Sequence, residues 1–112
     1  MAKWTDVGNA EEFVSGTKVV VGEDKNLVLC HVDDAWYAVQ NVCPHAGMPI
    51  GEGELNGCVL TCPFHGYAYN VETGNNVDFD DDLPLRTYPV KVEADRVLID
   101  VEAGGIEPGQ SR

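Results

Sequence analysis

The chain has 112 residues, 44% of them hydrophobic, and 19 acidic against seven basic side chains give a formal net charge of −12. That length suits one domain, residues 1–112, with a modest core that would gain from a staple such as a metal site, and the apolar fraction excludes a disordered chain. The acidity excludes binding to a nucleic-acid backbone or an anionic membrane surface, both of which need clustered Lys and Arg. The longest uninterrupted apolar run, residues 35–39, is far below the roughly 20 residues needed to span a bilayer. The N-terminus Met1-Ala-Lys-Trp-Thr-Asp6 lacks the apolar core of a signal peptide, so the expectation is a cytoplasmic protein with neither membrane nor nucleic acid as a partner.

In chain order, Asn9-Ala-Glu-Glu12 reads as a helix N-cap with Glu at the third helical position, which predicts a short helix over 10–14, stopped by Gly16. Residues 17–21, 26–32 and 35–40 are rich in β-branched and aromatic side chains and are separated by Gly22-Glu-Asp24 and Asp33-Asp34. They predict consecutive antiparallel strands joined by tight turns. Over residues 41–54, Pro44, Gly47, Pro49, Gly51 and Gly53 punctuate the chain too often for a regular element and predict a structured loop. A strand over 58–61, a second loop over 62–66, a strand over 67–71 and a turn over 72–75 follow. Asp78-Phe-Asp-Asp-Asp82 is a solvated connection, 88–93 and 96–101 form a last hairpin around Ala94-Asp95, and 103–112 is a flexible tail. The expected fold is all-β: a small antiparallel domain with at most one short helix, closed in a Greek-key or barrel-like way.

The two loops carry the informative residues. Cys43-Pro-His45 is followed, 16 residues on, by Cys62-Pro-Phe-His65, so each loop offers one thiolate and one imidazole. Two Cys with two His is the donor set of a 2Fe-2S centre in which one iron takes both thiolates and the other both imidazoles. The same donors also suit a structural zinc site, although zinc modules commonly group Cys with Cys and His with His. Four cysteines could form two disulfides in a secreted chain, but two of them lie next to His residues, which favours metal ligation.

Along nearly its whole length the chain resembles the Rieske family, above all the small ferredoxins that serve bacterial ring-hydroxylating oxygenases. The resemblance rests on Cys43-Pro-His45 and Cys62-Pro-Phe-His65-Gly66, with support from Leu85-Arg-Thr-Tyr-Pro-Val90. It implies an antiparallel β fold with two cluster-binding loops and one 2Fe-2S cluster per chain. Cys43 and Cys62 would bind the buried iron, and His45 and His65 the outer iron near the surface. It also implies a role as a one-electron carrier between a flavin-dependent reductase and a terminal oxygenase, not as an enzyme. A small Rieske-like subunit of a larger reductase, such as a nitrite reductase, is the alternative within the family, but such subunits often lack the four ligands found here.

Respiratory members of the family have an extra disulfide between the loops and a Ser donor to a bridging sulfide. Here the matching positions are Met48, Phe64 and Tyr67. With fewer hydrogen bonds to the sulfurs the expected potential is at the low end of the Rieske range, about −150 mV. Tyr69 stands where a Tyr hydroxyl reaches a ligand sulfur in the high-potential relatives, or is an ordinary strand aromatic. Added negative charge on reduction raises the proton affinity of His45 and His65, which makes the potential pH-dependent once they titrate.

Other residues have plainer readings. Cys30 and Cys58 fall within strand-like runs and read as small buried thiols, and His31 as surface or core filler. Gly47, Gly53 and Gly66 serve tight loop geometry, while Pro44, Pro63, Met48 and Phe64 form an apolar collar around the cluster. The acidic run 78–82 is a solvated face or a docking patch for a basic partner.

Overall fold

The computed structural model describes residues 4–21, 26–43, 47, 49–63, 66–77 and 85–101. Its strands are β1 (Trp4–Asn9), β2 (Thr17–Val21), β3 (Leu27–Val32), β4 (Ala35–Gln40), β5 (Glu54–Asn56), β6 (Val59–Thr61), β7 (Ala68–Asn70), β8 (Thr87–Tyr88), β9 (Val90–Glu93) and β10 (Arg96–Asp100). They form three sheets, ordered β1-β10-β9, β2-β3-β4-β8 and β5-β6-β7. Every pairing between strands is antiparallel, as the sequence predicts.

The four-stranded sheet is the middle layer, which explains why β3 does not alternate. Leu27, Leu29 and Ala38 join Val97 and Ile99 in a core on one face, while Val28, Cys30 and Val39 face a second core with Ile50, Leu60, Tyr69 and Leu85. A strand covered on both sides reads as a continuous apolar run, and Leu27 to Cys30 are all buried. The second core joins the middle sheet to the β5-β6-β7 sheet and its two flanking loops, and it contains both Cys43 and Cys62.

Four elements depart from the sequence reading. The short helix is a single 3-10 turn, Ala10–Glu12. Its cap is as expected: the Asn9 side chain accepts from the Glu11 amide at 2.8 Å, and the Glu12 carboxylate from the Asn9 amide at 3.3 Å. Strand β1 has no counterpart in the pattern, because Gly8 interrupts it. The register on β10 shifts between Asp6 and Gly8, Gly8 has φ 146°, and a Cβ there would lie 3.0 Å from the Phe13 ring. The loop predicted over 41–54 holds a 3-10 turn, Ile50–Glu52, and ends where β5 begins. Lastly, Pro89 divides the expected strand over 88–93 into β8, which extends the middle sheet, and β9, which pairs with β10.

Asp6 and Arg96 join β1 to β10 through two bonds of 2.9 Å, and the guanidinium holds the Asp6 carboxyl below its usual range. Both side chains are exposed, so this pair marks register more than it stabilises. Cys30 is fully buried, as expected, whereas Cys58 is only half-buried. Burial pushes the Cys30 thiol from 9.0 up to about 12. An unfolded Cys30 ionises near pH 9 and the folded one only near 12, so the neutral thiol favours the fold below pH 9 and loses that advantage as the pH rises toward 12. The parent's stability should therefore fall more steeply than that of Cys30→Ala between pH 9 and 11, measured by urea unfolding; parallel profiles would contradict the burial argument.

Candidate metal centre

The loops that carry Cys43 and Cys62 fold through the same local device. The Cys43 carbonyl accepts from the Gly47 amide at 2.8 Å, and the Cys62 carbonyl from the Gly66 amide at 3.0 Å. Each is a five-residue turn closed by an i to i+4 bond, and each ends on a left-handed glycine, Gly47 at φ 67° and Gly66 at φ 75°. In sequence these turns are Cys-Pro-His-Ala-Gly and Cys-Pro-Phe-His-Gly, so each encloses one of the two histidines. Cys62 is held further by its own amide, which donates to the Tyr67 carbonyl at 2.7 Å.

The two loops are pressed together by backbone. Gly53, at the end of the first, lies so close to Thr61, just before Cys62, that a Cβ would fall 1.7 Å from the Thr61 carbonyl oxygen and 3.1 Å from Pro63 Cδ. Gly53 therefore serves close approach, while Gly47 and Gly66 supply positive φ; all three fill the tight-geometry role expected of them. The neck of the first loop is tied by the Asn41 side chain, whose Oδ1 accepts from the Gly51 amide at 2.6 Å.

Cys43 and Cys62 are each 0% exposed, in the same apolar core as Ile50, Leu60 and Leu85. Buried Tyr69 brings its Oη to 4.0 Å from Cys43 Sγ, the outer limit of a hydrogen bond to sulfur, at the position singled out in the sequence. Two sheltered sulfurs with a hydroxyl at one of them is a setting that tunes a metal–thiolate centre. His45 and His65 lie outside the described residues, as do Pro44, Met48 and Phe64 of the expected collar and the acidic run 78–82. Pro63 of that collar is exposed. Among the described residues no group of three or more Cys, His, Asp or Glu gathers to hold a metal. The donor chemistry on the two matched turns nonetheless fits a 2Fe-2S centre with two thiolate and two imidazole ligands.

His31 has a partner that the sequence did not reveal. Its ring stacks on Trp36 at 3.8 Å and 7°, its Nδ1 lies 2.7 Å from the Phe13 carbonyl oxygen, and Phe13 meets Trp36 edge-on. His31 and Trp36 face each other across β3 and β4, so the pair is a cross-strand contact that braces the N-terminal loop.

The sequence matches the family model described as "Rieske [2Fe-2S] domain" over residues 3–89. It is 35% identical over 100 residues to the ferredoxin component of the naphthalene 1,2-dioxygenase system of Pseudomonas aeruginosa, a match covering 88% of this chain and 96% of that protein. It is 37% identical over 78 residues to the ferredoxin component of biphenyl 2,3-dioxygenase of Rhodococcus jostii (strain RHA1), covering 70% and 73%. A chain in a solved complex of reduced oxygenase and oxidized ferredoxin in carbazole 1,9a-dioxygenase superposes with TM-score 0.81 at 31% identity, covering 96% of this chain and 97% of that one. Among the described residues no helix is long and apolar enough to cross a membrane. With the antiparallel fold, the paired Cys turns and these likenesses together, the chain belongs to the Rieske [2Fe-2S] domain family.

Proposed function

We propose that this chain is a single-domain ferredoxin of the cytoplasm that takes one electron at a time from a flavin-dependent reductase and delivers it to a terminal ring-hydroxylating oxygenase. Its cluster ligands are Cys43, His45, Cys62 and His65. The observation that carries this reading is the matched pair of turns, each with a buried Cys at its head and a His within it. When bound, the 2Fe-2S group supplies a reversible one-electron change. The chain's own residues keep water from the two sulfurs, fix the loops against each other at Gly53, and set a hydroxyl beside Cys43. The partner class is supported by the likeness, over nearly their full length, to ferredoxin components of dioxygenase systems. The net charge of −12 suits a partner with a basic face.

The test is the absorption and EPR spectrum of anaerobically purified protein before and after dithionite, with iron and sulfide assayed on the same sample. About two irons and two sulfides per chain and a reduced signal typical of mixed His and Cys ligation support the cluster; stoichiometric zinc without sulfide overturns it in favour of a structural module. Reconstitution with a reductase and an oxygenase should then give product only when this chain is present, at a rate that falls as salt rises. Product formed without this chain would refute the carrier role.

The Tyr69 hydroxyl has a measurable consequence. A weak hydrogen bond to a ligand sulfur is worth about 1 kcal/mol, and for one electron about 59 mV corresponds to a tenfold change in equilibrium. Tyr69→Phe should therefore lower the midpoint potential by about 40 mV with the cluster retained, and an unchanged potential would dismiss the contact as packing.

A further inference from the structure

The loop that carries Cys43 leaves β4 at Asn41 and returns at Gly51, and that one residue meets one side chain at its amide and another at its carbonyl. The Gly51 amide donates to Asn41 Oδ1 at 2.6 Å, and the Gly51 carbonyl accepts from Lys18 Nζ at 2.5 Å. The Asn41 amide in turn donates to the Asn26 carbonyl at 2.9 Å. Gly51 has no spare room, because a Cβ would lie 2.7 Å from Val20 Cγ2 and 2.8 Å from Asn41 Oδ1. Lys18 and Val20 alternate along β2 and so share the face turned to the loop. The Lys18 bond is part-buried and spans 33 positions of sequence. Holding a long flexible side chain in that way costs rotamer entropy that a solvated lysine keeps. In a chain with seven basic and 19 acidic residues, the effect is to fix a positive charge at the neck of a loop that carries a cluster ligand.

We propose that Lys18 is a positioning residue of the redox centre: its ammonium locks the Gly51 carbonyl at the neck of the Cys43 loop, and its charge favours the reduced state. The inference rests on Cys43, His45, Cys62 and His65 being the cluster ligands. Reduction adds one negative charge to the centre, and a part-buried cation fixed at the neck of its loop stabilises that charge more than a fully solvated one does. The bond and the charge are separable, since arginine keeps both, glutamine keeps a donor without charge, and methionine keeps neither.

The experiment compares the loaded parent protein with Lys18→Arg, Lys18→Gln and Lys18→Met. It reads the midpoint potential by spectroelectrochemical titration and the hydrogen exchange of the peptide containing Gly51. Lys18→Arg should titrate with the parent. In Lys18→Gln and Lys18→Met the ratio of reduced to oxidised protein at the parent midpoint should fall about threefold, a shift of about 28 mV. Exchange at Gly51 should rise in Lys18→Met and stay near parental in Lys18→Arg. Potentials unchanged in all three variants overturn the electrostatic role, and Gly51 protection unchanged in Lys18→Met overturns the positioning role. A parent protein without iron and sulfide overturns the ligand assignment instead, and the exchange measurement still decides whether Lys18 holds the neck.

Discussion

Protein carrying Cys43→Ala or Cys62→Ala is expected to be colourless, with iron and acid-labile sulfide falling from about two each per chain to none. Both sulfurs are buried in a core that offers no alternative thiolate at the head of a Gly-closed turn. Cys30 lies on β3 with its thiol pushed up to about 12 by burial, which makes it a poor ligand. Cys58 precedes β6 and its carbonyl accepts from the Val71 amide, in a turn unlike those of Cys43 and Cys62. His45→Ala and His65→Ala should likewise lose the cluster, whereas Cys30→Ala and Cys58→Ala should keep full iron content. The folded base of the molecule provides a control, because the core around Leu27, Leu29, Val97 and Ile99 includes neither Cys43 nor Cys62. Circular dichroism should still show the β signature in the colourless variants. Full iron in Cys62→Ala, or its loss in Cys58→Ala, would break the assignment.

A methyl group at Gly53 should be nearly as damaging, although it removes no donor. In Gly53→Ala the new Cβ would fall 1.7 Å from the Thr61 carbonyl oxygen, and that neighbour is strand backbone, not the movable end of a side chain. Relief requires the first loop to lift from β6, which separates the Cys43 turn from the Cys62 turn. Overpacking against backbone that cannot yield should cost about 3 kcal/mol or more, seen as a lower urea midpoint and faster loss of colour to a chelator. Gly57→Ala is the matched comparison. Gly57 has φ 59° and nothing within 4 Å of its Cβ, so only the left-handed conformation is penalised, at about 1 to 2 kcal/mol. Equal losses in the two variants would mean that the contact with Thr61 does not govern loop packing.

These expectations separate what is local in the chain from what is not. Periodicity and turn chemistry alone determined β2, β3 and β4, the Asn9 cap, the two punctuated loops and the pairing of a Cys with a His in each, because all of these are recorded within a few consecutive residues. The candidate donor set, Cys43, His45, Cys62 and His65, is likewise a reading of residue type and short spacing. Strand β1 was not legible, since a Gly at a bulge erases its alternation and only pairing with β10, some 90 residues away, makes it a strand. Nor could local pattern show that His31 stacks on Trp36, that the Tyr69 hydroxyl meets Cys43, that Gly53 lies against Thr61, or that Lys18 reaches Gly51. Those contacts join positions that are distant in sequence or lie on different strands, and which atoms meet is decided when three sheets close on two shared cores. The sequence therefore determined what chemistry the loops can hold, and the tertiary structure decided how the loops are braced, because bracing depends on packing in space and not on order along the chain.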